Sequence, residues 1–118
     1  LARELQFLRE KGVLILGSGN IVHNLQASVP NLSSGQVNFG YEWAQEFDVW
    51  SAKLIADKNV EGLLDYERAP GGRYSVPTPD HYIPLLYSLA LARKDEQVYT
   101  TYEQLVYGGI SMRCFEIR

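Results

Sequence analysis

Apolar positions along this chain switch between a helical and an extended period. Leu1, Leu5 and Leu8 fall on one helical face with Phe7 beside it, and Arg3, Glu4, Arg9, Glu10 and Lys11 supply a polar side. Residues 1–11 therefore predict an amphipathic helix closed by Gly12. Val13, Leu14, Ile15 and Leu16 are apolar without alternation, the pattern of a strand covered on both faces of an α/β sheet. Residues 26–41 shift to Ser, Asn, Gly and Pro with scattered apolar positions, which predicts a long loop of the kind that is functional or disordered. Over residues 42–58, Trp43, Phe47, Trp50 and Leu54 recur at helical spacing while Glu46, Asp48, Lys53 and Asp57 fall elsewhere. This is the clearest helix, and its aromatic stripe reads as core. Residues 60–66 predict a short helix, 69–72 a turn, and 85–92 an apolar helix. Residues 97–102 and 110–117 predict strands separated by a turn at Gly108 and Gly109. The order helix, glycine, buried strand is the grammar of an α/β fold, here part of a single domain with a central sheet flanked by helices.

Composition narrows the class. With 118 residues, 46% of them hydrophobic, the chain can bury one modest core and not two. A net charge of −3 with no dense basic tract argues against nucleic acid or an anionic membrane as partner. The apolar runs fall far short of the roughly 20 residues of a spanning helix. A single cysteine, Cys114, excludes an internal disulfide framework and fits a reducing, cytoplasmic compartment; its expected place is as small core filler in a strand. The chain opens on Leu1 in what reads as a helix already under way, without the layout of a signal peptide, as if cut from something longer.

Candidate chemistry sits at the chain's two histidines. His23 follows the apolar run and a glycine-rich segment, Gly17-Ser18-Gly19-Asn20, where open α/β sheets place ligands. A hydrogen bond of His23 to its own loop is the plainer alternative. The segment also invites comparison with a dinucleotide fingerprint, but Val22 stands where the third glycine or alanine belongs. His81 lies in VPTPDHYIPLLY, residues 76–87, where Pro77, Pro79 and Pro84 restrict the backbone. Thr78 suits an N-cap, Pro79 a first helical position and Asp80 the positive end of a helix dipole. Pro84 then lies too deep for an unperturbed helix, so the helix either kinks there or begins between residues 80 and 83, with His81 in its first turn. Two histidines alone do not make a conventional zinc or iron site, which takes about three protein ligands.

The strings GVLILGSGNIVHNL, VPTPDHYIPLLY and GGISMRCFEI, in that order and over nearly the whole chain, resemble the C-terminal part of the 4,5-DOPA extradiol dioxygenase-like family, within the class III (LigB-type) ring-opening dioxygenases. The resemblance implies that His23 is similar to a metal ligand, that His81 is similar to the family's active-site acid/base, and that the other histidine ligands come from an N-terminal half whose motifs are not in this sequence. Asn20, Thr78 and Asp80 match motif letters in supporting or capping roles. The resemblance also implies a parent enzyme that opens a catechol ring with O2 at non-haem Fe(II) or Zn(II), and a fragment that is inactive alone. A piece without the sheet partners of an N-terminal half is expected to expose apolar surface and so to self-associate or join that half. Two other readings stand beside it: a non-catalytic α/β domain binding a nucleotide or anion at the glycine-rich loop, and a purely structural remnant.

Overall fold

Residues 2–118 are described by a computed structural model; Leu1 and the Arg3 side chain, read above as part of the first helix, lie outside the described residues. The first helix, α1 (Ala2–Glu10), packs against α6 (Ile83–Ala90) with Leu5 and Leu8 half-buried. Gly12 takes φ +76°, and the Gly12 and Val13 amides donate to the Arg9 and Leu8 carbonyls at 3.1 and 3.0 Å, closing the helix as its glycine predicts. Arg9 departs from its expected place on the wet side. Its guanidinium folds back to donate to both Glu96 oxygens at 2.9 and 2.5 Å and to the Leu91 carbonyl at 2.6 Å. An arginine stem can lie along apolar surface while its head keeps a carboxylate.

Residues 13–16 do not form the expected buried strand. They carry no ladder partner among the described residues, and Leu14 and Leu16 are 87% and 83% exposed. An apolar run becomes a buried strand only where neighbouring strands supply hydrogen bonds and other elements cover its faces. The strands present gather instead in two antiparallel pairs rather than one central sheet. β1 (Val98–Tyr102) pairs with β4 (Cys114–Ile117), and β2 (Leu105–Val106) forms a hairpin with β3 (Ile110–Ser111) through a turn in which Tyr107 and Gly108 have φ of 51° and 82°. With its helices packed beside these strands, the chain is α/β. Cys114, expected in the core, is exposed: along β4 Phe115 and Ile117 turn inward, so the period of two sends Cys114 and Glu116 outward.

The loop predicted over residues 26–41 instead opens on a short helix, α2 (Leu25–Ser28), capped by Asn24, and a 3-10 turn (Val29–Asn31). Asn31 Nδ2 ties it to the hairpin by donating to the Tyr107 carbonyl at 2.9 Å. The long helix α3 (Glu42–Ala56) buries Phe47 completely, with Trp43, Trp50 and Leu54 packed against the same core, as the stripe predicts. Asp48, placed by its charge on the wet side, is buried instead, because Arg113 from the C-terminal strands reaches it. Next come α4 (Val60–Leu64), with Asn59 as side-chain cap, a 3-10 turn (Tyr66–Arg68) and α5 (Gly72–Ser75). The core between these helices and the strands contains Ile21, Val22, Phe47, Leu63, Tyr82, Leu85 and Leu89. No helix among the described residues is long and apolar enough to cross a membrane.

Candidate functional site

His23 and His81, far apart in the chain, meet ring to ring. Their centroids lie 3.7 Å apart with 19° between the planes. Each is fixed from behind. Buried Val22 accepts from the Ser111 amide at 2.9 Å, the His23 amide donates to the Ser75 carbonyl at 2.9 Å, and His23 forms an antiparallel bridge with Ile110. On the other side, Pro79 accepts from the Tyr82 and Ile83 amides at 3.0 and 2.9 Å, and buried Tyr82 donates through its hydroxyl to the Leu63 carbonyl at 3.0 Å. The tyrosine following His81 is thus an anchor in the core, which sets where the histidine emerges.

The helix after His81 begins later than Thr78 capping would require. α6 starts at Ile83 with Tyr82 at its cap position, so His81 lies in the turn before the helix and not in its first turn. This start puts Pro84 in the first turn, where a missing N–H is harmless; a helix begun at Pro79 would carry it in the interior. Thr78 does not cap α6; its hydroxyl is the largest influence holding the Asp80 carboxyl below the usual carboxylate range, followed by the Asp80 backbone amide and, more weakly, by the two histidines. Asp80 Oδ2 in turn lies 3.5 Å from His81 Nε2. The His23 imidazole is pushed below its ordinary value, first by desolvation and then by the neighbouring His81, with Asp80 opposing. A neutral imidazole is the form that binds a metal.

Around the pair lies an open pocket of about 320 Å³, lined also by Asn24, Gln26, Pro77, Thr78 and Asp80. A larger apolar depression of about 480 Å³ along Val49, Trp50 and Pro70 offers only Glu46 as an ionisable group, whereas the histidine pocket gathers His23, His81 and Asp80. The donor types there suit iron or zinc, but their number does not. Among the described residues no three His, Cys, Asp or Glu side chains converge to hold a metal ion. The supporting letters of the motifs do have contacts. Asn20 donates from its backbone to the His81 carbonyl at 2.9 Å and from Nδ2 to the Ser111 carbonyl at 2.8 Å. Asn24 carries no motif role in the sequence, yet its Oδ1 caps α2 at the Ala27 amide and its Nδ2 donates to the Tyr74 carbonyl at 2.8 Å. Its position just before an apolar stretch is the one local signal of that capping.

No family model matches the chain. Individual proteins do. A 4,5-DOPA dioxygenase extradiol of Escherichia coli K12 is 35% identical over 99% of this chain and 43% of its own length. One of Beta vulgaris is 31% identical over 82% of this chain and 35% of its own. These residues match 4,5-DOPA extradiol dioxygenases as a C-terminal portion of that family would. The solved structure of an uncharacterized protein from Escherichia coli K12 agrees in fold, with a TM-score of 0.85 and 31% identity over 97% of this chain and 46% of that one. The chain thus spans less than half the length of the relatives it matches.

Proposed function

We propose that these 118 residues are the C-terminal portion of the catalytic domain of an extradiol dioxygenase, which opens a DOPA-like catechol ring with O2 at a non-haem Fe(II) or Zn(II) centre. The observation that carries this reading is the convergence of the two motif histidines at 3.7 Å in one open pocket. His23, held neutral, would provide one metal ligand, and the remaining ligands would come from the part of the family fold outside these residues. When bound, such a metal supplies open positions for a catecholate and dioxygen side by side. His81 takes the proton of a catechol hydroxyl and later returns one, and the ionised Asp80 at 3.5 Å stabilises the imidazolium in between. Exposed Leu14 and Leu16 support the same division, because a run of that composition is stable when the rest of a sheet covers it.

The reverse assignment has one observation in its favour: a carboxylate beside the far nitrogen of an imidazole, as Asp80 is beside His81, is the usual partner of a metal-bound histidine. Metal content separates the two. In the protein extended by an N-terminal portion, His81→Ala should lower catechol ring opening about 100-fold or more while keeping its metal, and His23→Ala should lose the metal. Metal loss confined to His81→Ala would reverse the roles, and full activity of both variants would sink the reading. The 118-residue chain alone, with ferrous iron added, should open no catechol and should associate with itself as concentration rises. Ring opening by it, or a monomer at every concentration in sedimentation, would contradict the corresponding part.

A further inference from the structure

We infer that Gly19 and Asn20 are positioning residues that set the distance between His81 and His23. The glycines of the GSGN segment are needed here for space and not for conformation. Neither Gly17 nor Gly19 takes a positive φ, unlike Gly12, Gly35, Gly71 and Gly108. A Cβ on Gly19 would lie 2.1 Å from the His81 carbonyl oxygen and 3.2 Å from Pro84 Cγ, and one on Gly17 would lie 2.9 Å from the Pro84 carbonyl oxygen. The obstacles at closest approach to Gly19 are backbone atoms of the histidine turn, which no side-chain rotation removes.

That close approach makes the strap. With Gly19 flush against the turn, the next amide, Asn20 N–H, reaches the His81 carbonyl at 2.9 Å, and the Asn20 side chain reaches the Ser111 carbonyl at 2.8 Å. Ser111 in turn holds Val22 through its amide, and Ile110 bridges His23. One residue therefore ties the backbone of the His81 turn to the strand that backs His23. The segment that resembles a phosphate cradle spends its Asn20 N–H on this strap. A β-carbon at position 19 forces the segment and the His81 turn apart, and on this inference that separation shifts the turn and opens the ring pair. The functional weight of this spacing rests on the reading of both histidines as site residues, but its test involves neither metal nor turnover, so the two fail separately.

Proton NMR of the 118-residue chain reads the ring distance directly. The chain and Ser18→Ala, an exposed neighbour, should show a nuclear Overhauser contact between the His23 and His81 ring protons and mutually shielded ring resonances. Gly19→Ala should lose the contact and the shielding while the dispersed methyl signals of Val22 and Leu89 keep their places. Should Gly19→Ala unfold, Asn20→Ala reads the same strap, because it removes the side-chain donor to Ser111 and its weak contact with Met112 Sδ while keeping the backbone N–H, and it should weaken the contact. A ring contact of unchanged strength in folded Gly19→Ala, or in Asn20→Ala where the first variant does not fold, overturns the inference, as does its absence from the unsubstituted chain.

Discussion

Replacing Asp48 with alanine is the sharpest test of how the C-terminal strands are held on the helical core. The Asp48 carboxylate, 8% exposed, accepts from Ser111 Oγ at 2.7 Å and from Arg113 Nε and Nη2 at 3.2 and 2.6 Å. Removing one partner of a buried, hydrogen-bonded ion pair costs about 3–5 kcal/mol, because the other charge is left without its partner. The lower end applies here. Arg113 Nη1 keeps Glu103 at 2.8 Å, and that exposed carboxylate, screened by water, compensates the guanidinium in part. The expected loss is about 3 kcal/mol, a large share of the roughly 5–15 kcal/mol that stabilises a typical domain. Urea unfolding followed by the fluorescence of Trp43 and Trp50 should show the midpoint falling by about 2 M, for a slope near 1.5 kcal/mol/M. The double variant Asp48→Leu with Arg113→Met should recover much of that loss, because an apolar pair of similar bulk leaves no charge unpaired. A loss under about 1 kcal/mol in Asp48→Ala, or a double variant as unstable as the two single changes added together, would refute the argument.

Acid should release the clamp between α1 and the segment before β1. Glu96 is held down at about 2 from an ordinary 4.5, first by the Arg9 hydrogen bond and then by the Arg93 amide. A depressed carboxylate stabilises the fold above its unfolded value and loses that contribution as pH falls from about 4.5 toward 2. The loss is about 2 kcal/mol once partial screening is allowed for, and Glu96→Gln should flatten the stability profile over that window; superimposable profiles would contradict it. Tyr82→Phe deletes the buried hydroxyl that donates to the Leu63 carbonyl at 3.0 Å and should cost about 1–2 kcal/mol, since that carbonyl is left unpaired. By differential scanning calorimetry the melting temperature should fall by at least about 4 °C, and an unchanged value would show that Tyr82 holds the His81 turn by packing alone.

Much of the fold was legible where a local rule and the tertiary environment agree. The helix ending at Gly12, the aromatic stripe of α3 and the turn at Gly108 each follow from periodicity or from a glycine at positive φ. The family resemblance was legible because the ordered strings around the two histidines are specific. Other features had no local signature. Asp48 and Arg9 look like solvated charges until Arg113 and Glu96 arrive from the far end of the chain, and a charge is buried only where such a partner exists. The period of two along β4 does not say which face is inward; packing of Phe115 and Ile117 on the core chose it and turned Cys114 out.

The same division runs through the site. Sequence by itself determined that His23 and His81 sit beside glycine- and proline-restricted backbone, because those residue types restrict φ wherever they occur. Only the tertiary structure decided that the two rings stack, that the helix waits until Ile83, and that Gly19 is small because the His81 carbonyl occupies the space of its β-carbon. It also decided that in residues 13–16, apolar enough for a buried strand, Val13, Leu14 and Leu16 lie exposed. Hydrophobic pattern specifies a preference for burial, and burial itself is supplied by neighbours.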